Sequence, residues 1–279
     1  QQRLNEQTLV VAADGAAAHA MATTTRSKQK GAMLLEGHSH QALLSGSVAS
    51  VVPLDGCEKL STCPANYVHD GLVYQPQGGI GIFASGVVDS QFSERARQGR
   101  LMRLLADTRI RFGFGIDERT ALLVEWPKLG DIGIKMEVLG ESGVSIFDSE
   151  EIQMTDGISR DITSMKQHYL TYGDQLFFRG NKMIVSFADW KYSSNKMTRP
   201  VIQSGQAFRG DNYRRTIKML CATGAESASL KHIVLGHGHL LFIQKSRSSI
   251  SLSGSRNVNG QNIGYCSFRD YYVDVKAND

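Results

Sequence analysis

The chain has 279 residues, 41% hydrophobic and 21% charged, with 28 Gly and 5 Pro. That length suits one large domain or two small ones, and that composition excludes a disordered chain, collagen and a coiled coil. Lys and Arg number 31 against 27 Asp and Glu, a balance too even to imply nucleic acid without a concentrated basic face, and no run approaches the roughly 18 apolar residues of a membrane span.

In chain order, Gln1 to Gln7 lacks the basic, apolar and small-residue succession of a secretory leader, and there is no initiator Met. The chain therefore reads as a processed or trimmed product, with an N-terminal Gln compatible with a mature secreted protein. Thr8 to Ala13 is a short apolar run closed by Asp14-Gly15, and Ala16 to Thr23 is Ala-rich, which predicts a strand, a sharp turn and a helix. Pro53 to Asp70 reads as a loop carrying Cys57 and Cys63. Short strands are expected at Gly79 to Phe83 and Gly86 to Asp89. Ser90 or Ser93 would then cap an amphipathic helix with Phe92, Ala96, Leu101, Leu104 and Leu105 on one face and Arg95, Arg97, Arg100 and Arg103 interleaved. Phe112 to Glu118 and Thr120 to Glu125 are two β-like runs. From Val138 onward, β-branched and aromatic segments such as Val144 to Phe147, Gln175 to Phe178, Leu240 to Ile243 and Tyr271 to Val275 are separated by Gly, Asn and Ser, and helical signals thin out. The expected organisation is an α/β region over 1–130 and a β-rich region over 131–279.

The stretches Gly78 to Phe83, Val88-Asp89-Ser90-Gln91-Phe92-Ser93-Glu94-Arg95 and Gly115-Ile116-Asp117-Glu118-Arg119-Thr120-Ala121 carry a resemblance. Together they resemble the cyanophycinase-like serine peptidases, relatives of the aspartyl dipeptidases, specifically from Gly78 to Ala121 and loosely from about residue 8 to 176. The resemblance implies part of a three-layer, class I glutaminase-like α/β sheet flanked by helices. In that family a strand-to-helix turn presents a nucleophilic Ser, a following segment of the form Asp-x-His-Phe-Ser-x-Arg presents the general base, and Gly-x-Asp-Glu-x-Thr-Ala supplies an acidic residue. Here the nucleophile position is Gly15 and the base position is Gln91. A glycine has nothing with which to attack, and a carboxamide does not titrate near neutral pH. Asp89, Arg95 and Glu118 remain of the pattern, so the chain reads as a pseudoenzyme for peptide hydrolysis. Family members also carry further βα units before the nucleophile turn, which leads to the expectation of a second chain or copy covering the missing N-terminal strands.

Two His-x-His pairs, His38 with His40 and His237 with His239, send their imidazoles to one strand face and could together hold zinc or copper. The simpler reading is two solvated strand faces and no cofactor. The arginines between Arg95 and Arg109 could hold a phosphate or acidic peptide, but the simpler reading is a solvated face offset by Glu94 and Asp107. Four cysteines without a Cys-x-x-Cys pair suggest two bridges, Cys57 to Cys63 and Cys221 to Cys266, and hence an extracellular protein. The expected function is that of a non-catalytic, secreted cyanophycinase-like protein with a binding or assembly role; the alternatives are a repurposed enzyme using Glu118 or Asp89 as acid and base, with the His-x-His groups as metal ligands, or a residual serine-type hydrolase.

Overall fold

The computed structural model describes residues 8–10, 32–36, 83, 85–125, 133–155, 161–193, 201–234 and 237–278. In chain order the first elements are β1 (Thr8–Val10), β2 (Ala32–Glu36), β3 (Val87–Ser90), helix α1 (Gln98–Thr108), β4 (Phe112–Ile116), β5 (Thr120–Glu125), β6 (Ile134–Gly140), β7 (Gly143–Asp148), β8 (Gln153–Met154) and β9 (Ile162–Thr171). They are followed by β10 (Gln175–Arg179), β11 (Lys182–Ser186), β12 (Val201–Ser204), helix α2 (Asn212–Ala222), β13 (Ser227–Val234), β14 (His237–Val258) and β15 (Gln261–Asn278). The fold is α/β, with most of these residues in two sheets and few helices. No described helix is long and apolar enough to cross a membrane.

The first sheet has the order β1-β2-β5-β6-β10-β11, and the second runs β12-β13-β14-β15-β9-β7-β4-β3 with β8 paired to β9. Each sheet thus combines strands from both sides of residue 130. Leu122, Val124, Met136, Val138, Leu176 and Phe178 of the first sheet meet Val88, Phe114, Ile116, Val144, Ile146 and Leu170 of the second in one core. The edge-on contact of Phe178 with Phe112, ring centres 5.0 Å apart, closes that core at one end. The opposite face of the second sheet buries Phe147, Tyr169, Leu241, Ile243 and Phe268 against Leu101 and Leu105 of α1 and Tyr213, Ile217 and Leu220 of α2. Among the described residues the layers therefore run sheet, sheet, helices, with helices on one face of the second sheet.

Strand β4 shows why its sequence alternates as Phe-Gly-Phe-Gly-Ile. Successive side chains point to opposite faces. Phe112, Phe114 and Ile116 enter the core between the sheets, and the two glycines face the helices. A Cβ on Gly113 would stand 2.9 Å from Leu105 Cδ1, and one on Gly115 would overlap the Phe92 ring. Small residues on that face let α1 and the turn before it lie directly on the sheet. The two β-like runs on either side of Asp117 do not pair with each other. β4 lies in the second sheet and β5 in the first, and the chain crosses between layers at 117–119, helped by a positive φ of 56° at Arg119.

Three local expectations change. The helix expected from Ser90 or Ser93 starts at Gln98, because the chain passes through turns from Gln91 to Arg97 with positive φ at Gln91 (46°) and Ala96 (50°). The arginine face is not simply solvated, since Arg100 and Arg103 are buried. The stretch after Val138 holds a helix, α2, whose Tyr213, Ile217, Leu220 and Cys221 follow the 3.6 period and are all buried. The expected turn and helix after Thr8, Gly15, His38, His40, Cys57 and Cys63 lie outside the described residues.

The bridge between Cys221 and Cys266 is present, with Cα atoms 6.1 Å apart, and joins the end of α2 to β15. It closes a loop of 45 residues, worth about 4 kcal/mol on the loop-entropy account. Non-reducing peptide mapping is expected to recover the linked peptide, and the double variant Cys221→Ala/Cys266→Ala to lose about 2–4 kcal/mol of unfolding free energy in denaturant melts.

Candidate functional site

β3 and β4 are parallel neighbours, with Asp89 opposite Gly115 and Ser90 opposite Ile116, and α1 forms the crossover between them. Ligands of open α/β sheets gather beyond the carboxyl ends of such strands. The residues that follow the two strands, Gln91 to Arg97 after β3 and Asp117 to Arg119 after β4, meet there.

The first turn is held closed by its own backbone and by β4. Phe92 N–H donates to Ile116 O at 3.2 Å, Arg97 N–H to Phe92 O at 2.9 Å, and Arg95 N–H to Gln91 O at 3.1 Å. Phe92 is fully buried over Gly115. Gln91, at the base position of the resemblance, is buried with φ of 46°. A non-glycine residue in that region is strained by roughly 1 kcal/mol or more and persists only where its surroundings over-determine it.

Two carboxylates then lash the turns together. The Ser93 N–H donates to Asp117 Oδ1 at 3.0 Å, and the Glu118 N–H donates to Glu94 Oε2 at 3.0 Å. Each turn thereby supplies a carboxylate to the backbone of the other. Asp117 is wholly buried and also accepts from Tyr169 Oη at 2.8 Å. Arg214, from α2, pairs with Glu94 and lies 3.4 Å from Asp117. Burial, reinforced by the neighbouring Glu94 carboxylate, pushes the Asp117 carboxyl up to about 6, while Arg214 and the hydrogen bonds from Ser93 and Tyr169 oppose the rise.

Asp89 is equally buried but differently matched. Arg100 donates to both of its oxygens, Nε to Oδ2 at 2.7 Å and Nη2 to Oδ1 at 2.5 Å, and Arg97 Nη1 reaches Oδ1 at 3.0 Å. A carboxylate gripped by two guanidinium groups is an electrostatic hub rather than a free base. Arg95 lies exposed beside this pair, and Glu118 is half-buried in the second turn. Asp89, Gln91, Arg95 and Glu118 are therefore all at this one end of β3 and β4. Glu94, Asp117, Tyr169 and Arg214 join them without having been proposed for the site from the sequence; Arg214 stands at the edge of the buried face of α2, half-buried beside Tyr213, and no local signal marks it.

Of the two histidine pairs, His38 and His40 lie outside the described residues. His239 is buried on β14 opposite His232 of β13, and for His237 the structure describes the backbone alone. Among the described residues no group of three or more His, Cys, Asp and Glu side chains converges as metal ligands would. The site consists of carboxylates, guanidinium groups and amides, a donor set that suits recognition of polar ligands and proton exchange at Asp117.

The folded chain holds the Asp117 proton up to about pH 6, whereas an unfolded Asp loses it near pH 4. Between those values the folded state binds more protons, so this group's stabilisation is complete below about pH 4 and is lost as pH rises through about 6. Urea melts from pH 4 to 7 are expected to show wild type losing stability relative to Asp117→Asn across that window. Parallel curves would refute the assignment.

No family model matches the chain. Among curated proteins it is 33% identical over 106 residues to the cyanophycinases of Trichormus variabilis (strain ATCC 29413 / PCC 7937) and of Nostoc sp. (strain PCC 7120 / SAG 25.82 / UTEX 2576), covering 35% of this chain and 33% of each relative. It is 29% identical over 103 residues to the cyanophycinase of Geminocystis herdmanii (strain PCC 6308), covering 35% of this chain and 36% of that relative. The matches thus span about a third of the curated relatives' length. Over that third, the chain is similar to cyanophycinases.

Proposed function

We propose that this is a secreted, cyanophycinase-like protein that has lost serine-type peptide hydrolysis and that uses the carboxyl ends of β3 and β4 for binding or assembly. The observation that carries the reading is Gln91. It occupies the position that the resemblance assigns to the general base, at the carboxyl end of β3, on a backbone held in a strained conformation by the turn around it. A carboxamide there cannot take a proton from a hydroxyl nucleophile, and loss of one member of a nucleophile–base pair removes most of the catalysis. Asp89, the nearest carboxylate on the same strand, is neutralised by Arg97 and Arg100 and is a poor substitute. Secretion is supported by the Cys221–Cys266 bridge, since such bonds persist in oxidising compartments.

A repurposed enzyme is the second reading, favoured by one feature: a carboxyl that titrates near pH 6 at Asp117, one residue from Glu118, is tuned to the range in which general acids and bases work. The two readings separate in one set of assays. With an active cyanophycinase as the positive control, the purified chain is expected to take no label from a fluorophosphonate probe and to release no product from a β-aspartyl dipeptide. Labelling would overturn the first reading. Turnover without labelling, abolished by Glu118→Gln, would establish the second.

A further inference from the structure

The other end of β4 carries a separate recess. Five residues of strand, roughly 16 Å, lie between it and Asp117. There the β10–β11 hairpin of the first sheet overhangs the end of β7 and the middles of β9 and β15 in the second, leaving a cleft of about 490 Å³. That is within the range of small-molecule sites, roughly 300–1,000 Å³.

His168, on β9, lines this cleft and is only 3% exposed. Its Nδ1 accepts the backbone N–H of Asp270 at 3.2 Å, so in the neutral ring the proton belongs to Nε2. Burial pushes the imidazole down to about 3, against the pull of Asp148 and with Lys166 and Arg269 adding to the fall, which keeps it neutral at physiological pH. Nε2 is buried and has no hydrogen-bond partner among the described residues. An orphaned buried donor is unfavourable, and native proteins keep few of them. A buried, unpartnered donor on a residue of the cleft wall, its tautomer fixed by the Asp270 N–H, suits an acceptor that enters the cleft and reaches the ring.

The charges around it are unevenly matched. Arg111 is held by Asp148 at 3.0 Å and by Glu150, and Lys166 by Glu151 at 2.9 Å. Asp270 lies 3.9 Å from His168 Nδ1 and 3.7 Å from Arg269. Arg179 and Lys182 remain. They are cross-strand partners on the hairpin, both line the cleft, and neither makes an ion pair among the described residues. Two adjacent like charges repel, and an anion between them relieves that repulsion.

We propose that this cleft binds a small anionic ligand through an oxyanion group, a carboxylate or a phosphate, which accepts from His168 Nε2–H and lies against Arg179 and Lys182. Arg111 offsets one of the two charges of Asp148 and Glu150, and Arg179 and Lys182 together outweigh the one that is left. The inference stands apart from the reading of the β3 and β4 ends, since it uses none of those residues.

Calorimetric titration of the full chain at low salt, with inorganic phosphate and separately with succinate, tests it. Saturable binding of at least one probe is expected, with a shift of the His168 Nε2 resonance in nitrogen-15 NMR on binding. Phosphate alone would assign the phosphate, and succinate alone the carboxylate. The double variant Arg179→Ala/Lys182→Ala, on the exposed hairpin, is expected to weaken binding at least tenfold, while Arg209→Ala, exposed and outside the cleft, leaves it unchanged. His168→Phe removes the donor and is expected to weaken binding similarly. If that buried change prevents folding, the hairpin variant still decides. No saturable heat from either probe, or equal affinity in wild type and the hairpin variant, would overturn the proposal.

Discussion

Asp117 is the carboxylate on which the helix-facing half of the molecule converges. It lies just after β4, where the chain leaves one sheet for the other, and it takes hydrogen bonds from the turn after β3 and from β9 while α2 brings Arg214 alongside. None of these segments is near the others in sequence. A carboxylate buried without partners would be strongly unfavourable, so the folded state is compelled to bring all of them to it. The unusual path after β3, with Gln91 and Ala96 at positive φ, follows from the same demand, since the turn must present the Ser93 N–H to a fixed acceptor.

Packing makes this demand satisfiable. Glycines on the helix-facing side of β4 bring the turn and α1 within reach of the strand, and the large residues on its other side fill the space between the sheets. The polar network and the close approach therefore depend on one five-residue pattern. Large side chains at Gly113 and Gly115 would lift α1 and Phe92 from the sheet and separate Ser93 from Asp117 before any polar contact was changed.

Much of this was legible in the sequence, and the remainder fails for identifiable reasons. Alternating or β-branched runs located β4, β5, β7, β10, β14 and β15, since period-two burial leaves a direct trace. The start of α1 was not legible, because Ser90 and Ser93 have the chemistry of helix caps while tertiary contacts hold the chain in turns up to Arg97. α2 was passed over because it interrupts a long β-rich stretch, although its own spacing is regular. The burial of Arg100 could not be read from local charge, since its partner Asp89 lies on a strand and approaches only when α1 packs. For the site, the motif residues gather at the carboxyl ends of β3 and β4. The neighbours that set their electrostatics, Tyr169 and Arg214, come from distant segments and leave no local mark.

The bridge from Cys221 to Cys266 has a bearing on chemistry as well as on stability. It fastens the last turns of α2 to β15, and Arg214 is carried on the same helix about two turns earlier. The guanidinium that keeps Glu94 and Asp117 compatible is thus positioned by a helix whose far end is tied covalently to the sheet. Thiol reductants would slacken that tie and lessen the restraint on where the cation sits. The covalent tie therefore adds to the packing of Tyr213, Ile217 and Leu220 in setting where the cation beside Asp117 stands.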